Sequence, residues 1–382
     1  MRDWTSRFGL LLIGLGIAWG SGQGETHAFR PPLPYDLEQL YHQIKQQCPS
    51  SALACFQTQF QSVTAQHGPR AAIEAFTLLK SRGDIGPSVD GHHIAHHIGH
   101  ETAMVFGSTA QAFALCPDSY NYGCMHGFFQ HAVGMGEIAG QDAAKICDGL
   151  VPDPFVSFKT KMSCYHGLGH GVMIHAAYDL PKALAACDGL STPFAQQGCW
   201  QGVFMENIDA AEEGLGQKDL FSPQDPLAPC DHVQQKYQYQ CFINQSAWLM
   251  KFYHNDVNQA AQACLKAPWP SITPCLETIG ILTTNSEWQP QLLGSTPSAT
   301  FLENAWTVCE RFPHGYVDYC MVAALDNLMN ANTLDVGQAN QFCRVVSKHY
   351  RAECRARLAA NLQYLRAPKK KKASAAASSG GG

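Results

Sequence analysis

Cys164-Tyr165-His166-Gly167-Leu168-Gly169-His170-Gly171-Val172-Met173-Ile174, followed by Asp179-Leu180-Pro181-Lys182-Ala183-Leu184-Ala185-Ala186-Cys187, is the stretch that decides the fold. Its first part reads as a helix led by a cysteine. Its second reads as a helix of about two turns, because Asp179 is a good N-cap, proline is tolerated in a first helical turn and the segment closes on Cys187. A long helix, a turn, a short helix and a stapled loop form one unit, and that unit recurs.

The sixteen cysteines fall in order as Cys48/Cys55, Cys116/Cys124, Cys147/Cys164, Cys187/Cys199, Cys230/Cys241, Cys264/Cys275, Cys309/Cys320 and Cys343/Cys354. The last four pairs are identically spaced. Short intervals alternating with longer ones predict sequential pairing into local staples. Aligned on the first cysteine of each pair, an alanine stands four residues earlier at Ala112, Ala143, Ala183, Ala260, Ala305 and Ala339, and only the segment ending at Cys230 breaks the pattern after residue 90. Eight residues before the cysteine stand Ser108, Asp179, Asp256 and Asp335, each a candidate N-cap. The second cysteine of each pair is expected to open the next long helix, as in Cys320-Met321-Val322-Ala323-Ala324-Leu325-Asp326-Asn327-Leu328-Met329. The period of about 34 to 45 residues falls within the range of helical repeats. The predicted fold is all-α: an α-solenoid of helical hairpins stapled by sequential disulfides.

The unit resembles a tetratricopeptide or Sel1-type helical hairpin, and Asp179-Leu180-Pro181-Lys182-Ala183 is similar to the D-x-x-K-A stretch that opens the second Sel1 helix. The resemblance is one of architecture and covers residues 90 to 360. The cysteine placement departs from it, since cysteine-rich Sel1 proteins staple the two helices within a repeat. Each staple here closes a short loop and contributes about 2 to 3 kcal/mol in the chain-entropy model. A two-turn helix needs such help, being marginal alone.

Residues 1–28 carry Arg2 and Arg7, an apolar run from Phe8 to Trp19, and a small-x-small close at Thr26-His27-Ala28, which reads as a secretory signal. The expected location is secreted or periplasmic, in keeping with the cysteine content. Nothing later approaches 18 consecutive apolar residues, so no membrane span is expected in the mature chain. The net charge of -5 already includes the four tail lysines, and an acidic body argues against a nucleic-acid partner. Walker, Rossmann and haem-attachment patterns are absent from the sequence.

Residues 29–90 read as a helical capping region, with Leu37, Leu40, Tyr41 and Ile44 and then Ala71, Ala72, Ala75, Phe76 and Leu79 at helical spacing. Arg82-Gly83-Asp84 matches an adhesion tripeptide, but in a Gly/Pro loop it reads as a turn. Residues 91–215 form histidine-rich repeats, 216–366 C-terminal helical repeats, and 367–382 a low-complexity tail expected to be disordered. The sequon at Asn244-Gln245-Ser246 falls inside a predicted helix.

Gly91-His92-His93-Ile94-Ala95-His96-His97-Ile98-Gly99-His100-Glu101 holds five of the chain's 17 histidines. As a helix it carries two ladders at i+4, His92-His96-His100 and His93-His97-Glu101. Imidazoles one turn apart can share a cation, and neutral imidazole suits zinc, copper or iron. The next long helices share Cys-x-His/Gln-Gly: Cys124-Met125-His126-Gly127, Cys164-Tyr165-His166-Gly167 and Cys199-Trp200-Gln201-Gly202. Equivalent rungs of neighbouring helices pack side by side, so His126 and His166 are expected to meet. One register sets Gly99-His100 on Gly169-His170 and brings His96 to His126 and His166. The other sets His93 and His97 on His166 and His170. The glycines cost about 1 kcal/mol each in helix propensity, which close packing or room for a ligand would offset.

The candidate metal ligands are therefore His92, His93, His96, His97, His100, His126, His131, His166 and His170, with Glu101 or Glu206 as a possible general base toward metal-bound water. Cys124 and Cys164 belong to the staple rhythm. From Cys241 onward the glycine rung carries Asn244, Thr278, Ala323 and Arg357, which leaves the second half as scaffold. Three readings follow: an exported solenoid binding a transition metal, a solenoid whose grooved face takes a protein or peptide, and a metal-dependent hydrolase or oxidoreductase. His42, His67, His232, His254, His314 and His349 carry no functional expectation.

Overall fold

Short polar side chains set the helix starts. Asp36 accepts a hydrogen bond from the Gln39 amide to open α1 (Leu37–Gln47), and Asp90 accepts from the amides of His92 and His93 to open α3 (Gly91–Phe106). Between them α2 (Leu53–Ser81) breaks in the middle, where Gly68 has φ 81° and Pro69 follows; an L side chain at that φ would be strained. Asp179 and Asp256 cap α8 (Leu180–Asp188) and α11 (Val257–Cys264), as expected. Ser108 does not cap; Thr109 accepts from the Ala112 amide to open α4 (Ala110–Phe113), while Ser108 donates to Glu137. Asp335 lies outside the described residues.

These elements come from a computed structural model that describes residues 29–49, 52–86, 89–150, 156–212, 224–284, 292–293, 300–330, 336–348 and 350–366. The expected signal segment 1–28 and tail 367–382 lie outside them. The remaining helices are α5 (Gly123–Ala132), α6 (Gly140–Asp148), α7 (Val156–His175), α9 (Pro193–Glu212), α10 (Gln235–Phe252), α12 (Ile272–Leu282), α13 (Phe301–Cys309), α14 (Val317–Asn330), α15 (Val336–Val345) and α16 (Arg351–Arg366). Among the described residues the fold is all helical, without strands. No described helix is long and apolar enough to cross a membrane.

All eight disulfides join cysteines in sequence order. They are Cys48–Cys55, Cys116–Cys124, Cys147–Cys164, Cys187–Cys199, Cys230–Cys241, Cys264–Cys275, Cys309–Cys320 and Cys343–Cys354. Such a set implies an oxidising compartment. The alanine register is explained by packing. Ala112, Ala143, Ala183, Ala260, Ala305 and Ala339 are all fully buried, so any larger side chain there would collide with a neighbour.

Several long helices begin before the cysteine expected to open them. Helix α7 starts eight residues before Cys164 and α9 six before Cys199, so their staples enter through the helix side. Helix α12 likewise opens at Ile272 rather than at Cys275, whose bond to Cys264 reaches it within the first turn. Thr192 accepts from the Ala195 amide at the start of α9, a cap the cysteine rhythm concealed.

The long helices α3, α5, α7, α9, α10, α12, α14 and α16 each pack on the next. Glycine brings some of them backbone to backbone. A Cβ on Gly99 would stand 2.0 Å from the Cys124 carbonyl oxygen, and one on Gly127 would stand 1.8 Å from that of His96. The α7/α9 pair repeats the contact: Gly169 against the Cys199 oxygen at 2.1 Å, Gly202 against that of His166 at 1.8 Å. A third, looser copy sets Gly280 of α12 against the Cys320 oxygen of α14 at 2.6 Å. Matching Gly99 with Gly169 selects the first register, with His96 and His166 on equivalent rungs.

In the third copy that rung holds Glu277. The Arg357 guanidinium of α16 donates to Glu277 at 2.5 Å and to Asp326 at 3.1 Å. Arg82 donates twice to Glu38 while Asp84 holds Lys45 and Tyr41, so the adhesion-like tripeptide is tied into the fold. Asn244 donates to the carbonyls of Gln201 and Gln240 and Ser246 is buried, so the sequon is structural.

Candidate metal centre

Gly99 and Gly127 draw α3 onto α5, Gly171 draws α7 onto α5 with its Cβ position 2.2 Å from the Phe129 oxygen, and five imidazoles meet between the three helices. Ring centroids lie 4.5 Å apart for His92 and His96, 5.3 Å for His96 and His126, 4.8 Å for His126 and His166, and 4.9 Å for His166 and His170. His96, His126, His166 and His170 are buried, and His92 is partly so. Their potential ligand atoms fall into two trios, His92/His96/His126 and His126/His166/His170, each with all atoms within 4.8 Å of one another. Only His126 belongs to both. His170, Glu206 and Asp209 form a third such group.

Hydrogen bonds around the cluster fix which nitrogen of His92, His96 and His170 bears the proton. His92 Nδ1 lies 2.8 Å from the Tyr120 carbonyl oxygen, which only accepts, so Nδ1 donates and Nε2 keeps its lone pair. Gln130 Nε2 donates to Glu206 Oε2 at 2.8 Å, which turns Gln130 Oε1 toward His96 Nδ1 at 3.0 Å and makes that nitrogen a donor as well. His170 Nδ1 donates to Glu206 Oε2 at 2.8 Å. His92, His96 and His170 thus all direct an unprotonated Nε2 inward. His92 Nε2 and His96 Nε2 stand 3.0 Å apart with no proton for either to give. His126 has no partner at either nitrogen, and His170 none at Nε2, although all three atoms are buried. Buried nitrogens without partners call for an occupant.

The Tyr120 carbonyl is aimed by an unusual turn. Tyr120, Asn121 and Tyr122 all have positive φ, a left-handed run that non-glycine residues rarely adopt. The Cys116–Cys124 staple closes this loop, and the Tyr120 ring is held edge-on to Phe76 with its hydroxyl 2.9 Å from Thr77 Oγ1.

Burial, reinforced by the neighbouring imidazoles, lowers the pKa of His92, His96, His126 and His166, and that of His170 to about 3, so the rings are neutral near pH 7. Burial also raises Glu206 to about 7. Its neighbouring donors work in the other direction.

A cleft of about 450 Å³ opens on the cluster, lined among others by His93, His126, Met162, His166, Met205 and Asp209. Met205 Sδ lies 3.2 Å from His166 Nε2 and adds a thioether.

The other expected ligands lie elsewhere. His93 is half exposed at the cleft mouth, with Asp90 4.0 Å away. His97 is exposed beside Gln57, Phe60 and Gln61 of α2, facing away from the five rings. His100 and His131 pair one turn further along, 3.3 Å apart, with His131 Nε2 3.0 Å from Glu137. Glu101 is buried and its carboxyl is raised by desolvation, but the imidazole it interacts with is that of His131 rather than one of the cluster. Glu206 does reach the cluster, as the group that orients it. The Tyr120 carbonyl, Met205 and Asp209 were missed; Met205, one turn from Gln201 on the histidine rung, had a sequence signal, and the carbonyl had none. No protein-family model, curated protein or solved structure matches this chain.

Proposed function

We propose that the chain is an exported α-solenoid of Sel1-like stapled hairpins that binds a transition-metal ion through His92, His96, His126, His166 and His170. One observation carries the reading. Two histidines whose outer nitrogens are both committed as donors face each other through bare Nε2 atoms 3.0 Å apart, an arrangement that is repulsive until a cation lies between the lone pairs. A proton would fill that role poorly, because burial already disfavours the charged ring. Glu206, Gln130 and the Tyr120 carbonyl orient the rings from behind, as outer-shell groups do for metal-bound histidines.

Imidazole serves zinc, copper and iron alike, and the thioether of Met205 shifts the preference toward copper, which tolerates soft donors best of the three. The cleft keeps the ion within reach of small molecules, which supports a second reading as a metal-dependent enzyme with Asp209 near the open side.

Metal content decides the matter. Tag-free protein from an oxidising compartment should carry at least one equivalent of metal, and metal-stripped protein should gain thermal stability on adding Cu(II) or Zn(II). Less than about 0.1 equivalent with no shift at ligand excess removes the proposal and leaves the grooved face as a protein-binding surface.

A further inference from the structure

We infer that His126 bridges two metal ions, one bound with His92 and His96 and the other with His166 and His170. The inference rests on the metal-binding reading and adds a second site to it.

Three observations support it. The donors form two trios that share only His126, rather than one set of five. Each imidazole nitrogen has a single in-plane lone pair, so one nitrogen cannot serve two ions, and both trios can be filled together only through the two nitrogens of His126. Those two nitrogens, alone among the ring pairs of the cluster, are both buried and both without a hydrogen-bond partner. Three of its neighbours are tied from behind: His92 to a carbonyl, His96 to Gln130 and His170 to Glu206. A histidine ligand normally gives its second nitrogen to a carboxylate, carbonyl or water, and at His126 that place is left to metal on both sides. The ring sits centrally, with centroids 5.2 Å from His92, 5.3 Å from His96, 4.8 Å from His166 and 5.4 Å from His170.

The chemistry is a proton exchange without redox change. The first ion takes the lone pair of the unprotonated nitrogen. The second replaces the proton on the other, which leaves to solvent through the cleft that His126 lines, and the ring becomes an imidazolate joined to both ions. Met205 on the His166 side gives the second ion a softer environment than the first, so the two sites differ in affinity.

The test is titration of the metal-stripped full chain with Cu(II), followed by metal analysis and integrated electron paramagnetic resonance. The expected result is two equivalents retained after desalting and an integrated spin well below two per chain at low temperature, because a shared imidazolate couples the copper spins antiparallel. His126→Ala should retain one equivalent or less and lose the coupling. His42→Ala, exposed on α1 and in neither trio, should change neither. Two retained equivalents with full spin intensity would overturn the bridge. A single equivalent at saturation would overturn the second site while leaving the metal-binding reading intact, and no binding would overturn both. The wild-type measurement alone decides, so an unfolded His126 variant would not leave the question open.

Discussion

Gly127 of α5 lies so close to the His96 carbonyl of α3 that a methyl group on it would sit 1.8 Å from the oxygen, and Gly202 of α9 stands in the same relation to His166 of α7. The contact is backbone against backbone, so no rotamer change relieves it. Gly127→Ala is expected to push α3 and α5 apart, at a cost of about 1 to 3 kcal/mol or more as for overpacked cores, and to separate His92 and His96 from His126. Chemical denaturation and metal titration of the variant check this; a stability within about 0.5 kcal/mol of the parent with unchanged affinity, as for a surface substitution, would contradict the packing described.

Glu206→Gln and Gln130→Leu test the outer shell. Both changes keep the ligating nitrogens and remove what fixes their tautomers, since Glu206 accepts from His170 and Gln130. Metal affinity should fall about 10- to 100-fold in each, and competition against a chromogenic chelator measures it. Affinity equal to that of the parent in both variants would mean that the inward lone pairs are not set by this chain of bonds.

Acid should destabilise the metal-free protein. The five cluster histidines have folded pKa values below the ordinary value of about 6.5, so below that pH the unfolded chain binds more protons than the folded one. Stability is therefore full above about pH 6.5 and is lost as pH falls toward the folded values, about 3 for His170. Each histidine adds at most about 1.4 kcal/mol per pH unit. Glu206 opposes this, since its raised value favours the folded state as pH drops below about 7, but it is one group against five. Thermal melts in chelator between pH 7.5 and 5 should show a falling midpoint, and a flat profile would count against neutral burial of the cluster.

Staples should differ in what they support. Replacing Cys116 and Cys124 with serine opens the loop that holds the Tyr120 carbonyl behind His92, so both stability, by about 2 to 3 kcal/mol, and metal affinity should fall. The same change at Cys343 and Cys354, whose staple joins α15 to α16, should lower stability alone. Equal affinities in the two double variants would detach the left-handed turn from the centre.

The helices and their cross-links were legible because they leave marks of residue type. Cysteine spacing gave the pairing, and the six alanines marked the points where short helices enter the core. The meeting of His126 with His166 was legible for the same reason, as equivalent rungs of adjacent helices. Which ladder of α3 turns inward was left open by the histidines alone, yet Gly99 answers it: His92, His96 and Gly99 share one face, and the glycine marks the side that touches α5. His93 and His97, about 100° round the helix, consequently face the cleft mouth and α2. What no pattern revealed was the support behind the rings. The Tyr120 carbonyl belongs to the backbone and has no signature of residue type, and the Gln130–Glu206 bond spans 76 residues that only the packing of α5 near α9 brings together. The expected helix starts at Cys164, Cys199 and Cys275 failed because a cysteine can staple a helix from its flank as well as from its end.

The third glycine contact gives the chain an internal control. At the rung where α3 and α7 present histidine, α12 presents Glu277, and Arg357 reaches from α16 to it and to Asp326. That half therefore supplies its own positive charge covalently, with acidic partners where the N-terminal half has neutral nitrogens. A chelator that empties the N-terminal rungs has nothing to extract from the C-terminal ones, so treated protein should loosen from one end only.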